Sequence, residues 1–103
     1  MTWLSLIETD FVSENDVVGS DRAEGSFAVY QVDGTIYVTD NLCTHGNARL
    51  CDGFLEGYEI ECPMHQGRFD IRTGTPLCAP LVQPLACYPV KIENGFVCID
   101  LEK

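Results

Sequence analysis

Two short Cys/His pairs constrain this chain more than any other feature. Cys43 and His45 stand in "CTH", Cys62 and His65 in "CPMH", and sixteen residues separate His45 from Cys62. These are the only two histidines in the sequence. A cysteine and a histidine two or three residues apart on a turn can point the same way. A second such turn can close the site from the other side, so a fold that uses all four must bring two loops together. Thiolate sulfur and neutral imidazole suit zinc or iron–sulfur clusters rather than calcium or magnesium. The bland alternative is two buried cysteines and two surface histidines, and it requires both spacings to arise by chance.

Length and charge narrow the setting. A chain of 103 residues reads as one domain, residues 1–103, with a modest core that a bound metal would help to stabilise. Apolar residues make up 46% and charged residues 21%, a globular rather than a disordered composition. Sixteen Asp and Glu against six Lys and Arg give a net charge of −10. That balance argues against nucleic acid, whose phosphates need a basic footprint. It favours either basic protein surfaces, with salt-sensitive association, or simple solubility.

The opening "MTWLSLIETDF" lacks a basic segment, and Ser5, Glu8 and Asp10 break its apolar residues. It is expected to be neither a signal peptide nor a membrane anchor. Six cysteines without an export signal point to a reducing, cytoplasmic setting, where Cys/His clusters bind metal more often than they form disulfides.

The rest of the pattern is strand-like. "FAVYQV" (27–32) and "IYVTD" (36–40) flank Asp33-Gly34, and "PVKIE" (89–93) and "FVCID" (96–100) flank Asn94-Gly95. Both read as β-hairpins. In the last strand Val97, Ile99 and Leu101 share one face, the alternation of a half-buried strand. No long window carries a helical stripe, so the expected class is all-β, an antiparallel sandwich or barrel. Residues from about 41 to 84 differ, being rich in Gly and Pro. They are expected to form a loop-rich subdomain that includes both Cys/His loops and a short strand pair, "GFL" and "YEIE".

Structural Cys₂His₂ zinc sites pair like with like along the chain, whereas each short pair here is mixed. Mixed pairs let two loops clamp a two-iron rhomb, one iron held by both cysteines and the other by both histidines. That is the ligand set of a Rieske [2Fe–2S] centre. "DNLCTHG", "EIECP" followed by "HQGRFD", "LCAP" and "YPVKIE" together resemble the Rieske-type ferredoxins of bacterial aromatic-ring-hydroxylating dioxygenase systems. The resemblance covers roughly residues 30–100.

It implies a Rieske fold and one [2Fe–2S] cluster. Cys43 and Cys62 would lie on the buried iron, His45 and His65 on the outer iron, and the Pro80 segment would cover a third side. It implies a one-electron carrier, not an enzyme, working between a flavoprotein ferredoxin reductase and a terminal Rieske oxygenase. A monomer is the default for such a carrier, and the exposed edge of His45 or His65 is the expected electron exit. Two other readings stay open: a Rieske-like subunit of another redox complex such as nitrite reductase, and a structural zinc module.

Respiratory Rieske proteins carry a further cysteine in each loop. Ala48 and Met64 stand at those places here, so the disulfide they form is not expected. Gly67 and Phe69 replace a serine and a tyrosine whose hydroxyls would donate toward sulfur. Losing them lowers the expected potential toward about −150 mV, the low end of the Rieske range. Cys51, Cys78, Cys87 and Cys98 are expected to be redox-inactive packing residues, with Cys98 opposite Lys91. Gln66 is a candidate neighbour of the cluster. A catalytic non-haem iron needs two histidines and a carboxylate, and both histidines are already used. No dinucleotide-binding glycine pattern is present either.

Overall fold

The computed structural model describes residues 2–44, 48–64, 67–78 and 83–102. His45, His65, Gln66 and Pro80 therefore lie outside the described residues. Among those described, nine strands form three antiparallel sheets: β1 (Trp3–Glu8), β9 (Phe96–Asp100) and β8 (Val90–Glu93); β2 (Asp16–Arg22), β3 (Gly25–Val32) and β4 (Thr35–Asp40); β5 (Phe54–Glu56), β6 (Glu59–Glu61) and β7 (Arg68–Asp70). The all-β expectation holds. No helix among the described residues is long and apolar enough to cross a membrane.

Both expected hairpins form. Asp33 and Gly34 take φ of 56° and 76°, and Asn94 and Gly95 take 53° and 79°. Two consecutive left-handed residues make the two-residue turn whose twist matches that of paired strands. The pairs closing the turns are Val32 with Thr35 and Glu93 with Phe96. Glu14 secures the first turn from outside, its carboxylate accepting the N–H groups of Asp33 and Gly34. Cys98 faces Lys91, as the hairpin register requires.

Three strands were not anticipated from sequence. β1 carries a register shift between Ser5 and Ile7, which breaks its period-2 pattern. β2 is interrupted by Gly19 and polar at both ends. β7 spans three residues and pairs only with β6 and the bridge from Phe69 to Pro76.

The β2–β3–β4 sheet lies at the centre of the packing. Phe27 and Val29 of β3 join Val38, Leu6, Val97 and Ile99 in one buried cluster, toward the β1–β9–β8 sheet. Ala28, Tyr30 and Val32 point the other way, into a second cluster with Leu50, Ile60, Phe69, Ile71 and Leu85. Alternate side chains of a single strand thus belong to two cores. Cys43 and Cys62 both lie in the second.

The few buried polar side chains are paired. Tyr30 and Thr39 share a hydroxyl–hydroxyl bond of 2.8 Å, Ser20 donates to the Leu6 carbonyl at 2.9 Å, and Asp100 accepts the N–H groups of Thr2 and Glu102. Unpaired, each would cost about 1–3 kcal/mol.

Gly74 pins the chain leaving the second core. Its φ is 79°, and a Cβ there would lie 1.9 Å from the Leu85 carbonyl oxygen. Gly34 has a similar φ of 76° but open space around it. Gly34→Ala should therefore cost about 1–2 kcal/mol, the backbone term alone. Gly74→Ala should cost about 2–4 kcal/mol, because displaced backbone adds to it. Thermal melts of the two variants check this order, and equal losses would refute the close-approach account.

Candidate functional site

The two Cys/His motifs fold into hairpin loops of equal size. In the first, the N–H of Leu50 donates to the Asn41 carbonyl at 2.6 Å and Leu42 bridges Arg49. The N–H of Cys43 then donates to the Ala48 carbonyl at 3.0 Å. In the second, Ile60 pairs with Phe69 and Glu61 with Arg68, and the N–H of Cys62 donates to the Gly67 carbonyl at 2.8 Å. Each cysteine therefore opens its loop by bonding to the carbonyl five residues ahead. Four residues lie between, 44–47 and 63–66, with His45 second in its set and His65 third in the other. Unequal motif spacings, C-x-H and C-x-x-H, thus sit in loops that close identically.

Alternation along the hairpin arms sets what faces in. Asn41, Leu50, Ile60, Phe69, Ala48 and Gly67 are buried, and so are the cysteines, Cys43 at 4% exposure and Cys62 at 0%. Leu42, Arg49 and Met64 face out, Met64 at 67% exposure. Of the four predicted ligands, the structure brings Cys43 and Cys62 into one apolar cluster. His45 and His65 lie outside the described residues. Two buried sulfurs at equivalent turns, each with a histidine within three residues, form a donor set that fits a thiolate- and imidazole-bound iron–sulfur group.

A third segment is tied to this site. Thr44 Oγ1 donates to the Gln83 carbonyl at 3.2 Å, which fastens the first loop to the chain leaving the proline-rich segment. Asp70 builds the approach to that segment. Its carbonyl accepts Gly74 N–H at 2.7 Å, and its carboxylate accepts Arg72 N–H at 2.9 Å and Arg72 Nη2 at 2.9 Å.

Several features were missed in the sequence. Arginines occupy the same place in both hairpins, six residues after each cysteine. Arg49 holds Asp21 at 3.2 Å. Arg68 holds Glu61 at 2.9 Å, Glu56 at 3.2 Å and Glu59 at 3.4 Å. The equal offset from each cysteine was the available signal. Cys51 departs from the apolar packing expected of it: it is half-buried among polar groups, with Asn41 Nδ2 3.3 Å from its sulfur. Cys78 is exposed, so it does not pack as a core residue either.

Comparison with known proteins agrees with this geometry. The Rieske [2Fe–2S] domain family matches residues 2–89. The chain is 56% identical over 99 residues to the ferredoxin component of the naphthalene 1,2-dioxygenase system of Pseudomonas putida, covering 96% of this chain and 95% of that protein. The structure of the Sphingomonas yanoikuyae B1 ferredoxin superposes with a TM-score of 0.91 at 48% identity, covering 96% of this chain and 98% of that one. A chain from the complex of reduced oxygenase and oxidized ferredoxin in carbazole 1,9a-dioxygenase superposes at 0.87 with 35% identity, covering 94% and 91%.

The Asp70 turn yields a pH test. Hydrogen bonds from the Arg72 side chain, helped by its backbone N–H, hold the Asp70 carboxyl below its usual range against partial burial. A carboxyl depressed in the folded state stabilises the fold above its unfolded pKa, about 3.9, and that stabilisation is lost as pH falls through the folded value. Asp70→Asn should melt lower than the parent protein at pH 7. The gap should narrow as pH drops below about 4. A gap that stays constant down to pH 2 would show that the charge of Asp70 carries none of it.

Proposed function

The chain belongs to the Rieske [2Fe–2S] domain family, and on that premise we propose that it is the ferredoxin of an aromatic-ring-hydroxylating dioxygenase system. It receives single electrons from a flavin-dependent NAD(P)H ferredoxin reductase and passes them to the Rieske centre of a terminal oxygenase. The observation that carries this reading is the pair of equal loops, each opened by a buried cysteine and each containing a histidine. The 56% identity to a naphthalene dioxygenase ferredoxin component favours this system over other Rieske-containing complexes.

In this reading residues 41–84 are the cluster-binding part of a single domain. Cys43 and Cys62 hold one iron, and His45 and His65 hold the other. When bound, the cluster supplies a one-electron couple, and the protein adds no bond-making chemistry of its own. The chain's residues do three things. Cys43 and Cys62, lying in the apolar cluster with Ile60, Phe69 and Leu50, keep water from the sulfur side. The two loop-closing bonds fix where each cysteine sits. The histidines, at the loop tips, offer the edge through which a partner is met.

The same features set the potential. Hydrogen bonds to sulfur stabilise the reduced cluster and raise its potential. The N–H groups of both cysteines are committed to the Ala48 and Gly67 carbonyls. Gly67 and Phe69 have no hydroxyl to offer. Those four donors are withheld, which supports a midpoint near the low end of the Rieske range. Such a potential suits electrons from a flavoprotein rather than from quinol. A monomeric carrier in a reducing cytoplasm completes the proposal, with salt-sensitive docking because the net charge is −10.

Reductive titration followed by electron paramagnetic resonance tests this. A rhombic signal with average g below the free-electron value, appearing near about −150 mV, is expected. Cys62→Ala and His45→Ala should each lose the iron and the visible absorbance. A silent protein with stoichiometric zinc would overturn the electron-carrier reading. Full iron content in either variant would overturn that residue's assignment as a ligand.

A further inference from the structure

Asn41 is fully buried, two residues before Cys43, and both polar atoms of its carboxamide are hydrogen-bonded. Its Oδ1 accepts the Cys51 N–H at 2.9 Å, while Nδ2 lies 3.0 Å from Ser26 Oγ and 3.3 Å from Cys51 Sγ. Ser26 Oγ donates to Asp21 Oδ1 at 2.6 Å. Arg49 Nη2 reaches both Asp21 oxygens at 3.2 Å. The hydrogen bonds run from Cys51 through Asn41, Ser26 and Asp21 to Arg49, and the backbone from Arg49 to Cys51 completes the ring.

The ring adds to the junction where the β3–β4 ladder ends, beyond the Phe27–Asp40 pair and the bond from Asn41 N–H to the Ser26 carbonyl. Ser26 and Asp21 face each other across β2 and β3. Asn41, Arg49 and Cys51 belong to the first Cys/His hairpin and the short turn that follows it. Gly19 of β2 leaves room for the crossing. A Cβ there would lie 2.8 Å from Cys51 Sγ, 3.1 Å from Arg49 Nη2 and 3.3 Å from Asn41 Nδ2. The far arm of the first hairpin lacks the support the second receives, because β6 and β7 continue both arms of the second into a sheet with β5. Besides the bonds from Asn41 N–H to the Ser26 carbonyl and from Thr44 to Gln83, the arms of the first hairpin rest on one bridge, two backbone bonds between them and this ring.

We propose that Asn41 is the positioning residue of the first ligand loop, holding Cys43 and His45 in register with the second loop by clamping both ends of their hairpin to the central sheet. This rests on the ligand assignment given above. Asn41 touches no ligand side chain in this account; it acts through the backbone at Cys51 and through Ser26. Removing its carboxamide leaves the Cys51 N–H without its acceptor and frees the far arm of the hairpin. The second loop stays as it was. The consequence is specific: the ligand set loses one side.

The test compares three variants of the cluster-loaded protein by rate of iron release to a chelator, resonance spectrum and melting midpoint. Asn41→Ala should release iron roughly tenfold or more faster, with altered rhombicity in the spectrum. Arg49→Ala, a change at an exposed side chain, should do the same to a smaller degree. Glu14→Ala removes the cap at the opposite end of the β3–β4 hairpin, about 20 Å along the strand. It should lower the midpoint and leave release and spectrum alone.

Release rates that simply follow the melting midpoint across all three would overturn the proposal. If Asn41→Ala does not fold, Arg49→Ala against Glu14→Ala decides the same question. The two inferences fail separately. A parent protein without the rhombic signal defeats the ferredoxin reading. A parent with that signal, and unchanged release and spectrum in Asn41→Ala and Arg49→Ala, defeats only the positioning role.

Discussion

Burial of β3 on both faces is the constraint from which the rest of the architecture follows. A strand with one wet face needs a single partner layer. β3 sends Phe27 and Val29 into one core and Ala28, Tyr30 and Val32 into another, so it needs two. The first partner is the sheet of chain ends, β1, β9 and β8. The second is a short sheet with two loops, too small to form a core alone. It borrows one from the back of β3. The cysteines are buried there because the layer that carries them must pack against that face.

This dependence explains why the two Cys/His loops are built alike but supported differently. Both open with a cysteine bonded to the carbonyl five residues ahead, and both carry an outward arginine at the next residue. The second loop grows from paired strands, so its roots are held by a ladder, and Arg68 draws three carboxylates around the outer face. The first loop leaves β4 at Asp40, and its far arm runs at once into a short helical turn, Leu50–Asp52. With no neighbouring strand to hold that far arm, polar side chains take over. A buried carboxamide suits this task because it offers a donor and an acceptor without the desolvation cost of a charge. Its charged companions, Asp21 and Arg49, remain at the surface, where water shares the cost.

The parts of this arrangement that were legible in the sequence are those with short-range signals. Asp33-Gly34 and Asn94-Gly95 announce their hairpins because only small or Asx residues accept two left-handed φ values in succession. The four-residue Cys/His pattern announces its chemistry because few ligand sets mix in that way. β1 and β2 left no such mark, since a register shift and a glycine erase the alternation that identifies a strand. The role of Asn41 was invisible for a different reason. Its partners Ser26 and Cys51 lie 15 and 10 residues away, and nothing local distinguishes a buried asparagine from one in a loop. Gly19 is a similar case: what requires glycine there is a contact from the far side of the sheet, not its own backbone conformation.

Charge distribution carries the argument to function. The net charge of −10 is not shared evenly: residues 41–84 hold five of the sixteen acids but three of the six cations. The segment with the proposed ligands is thus close to neutral, while the remaining layers are strongly acidic. Two ferric ions, two sulfides and two lost thiol protons leave the oxidised cluster's contribution to net charge near zero, so reduction adds one negative charge. The acidic remainder still contributes at long range, drawing basic partners toward the molecule with a strength that fades over about 8–10 Å at physiological salt. In the proposed function, recognition over distance thus falls to the bulk charge of one small chain and electron transfer at contact to two loops that rest against the central sheet.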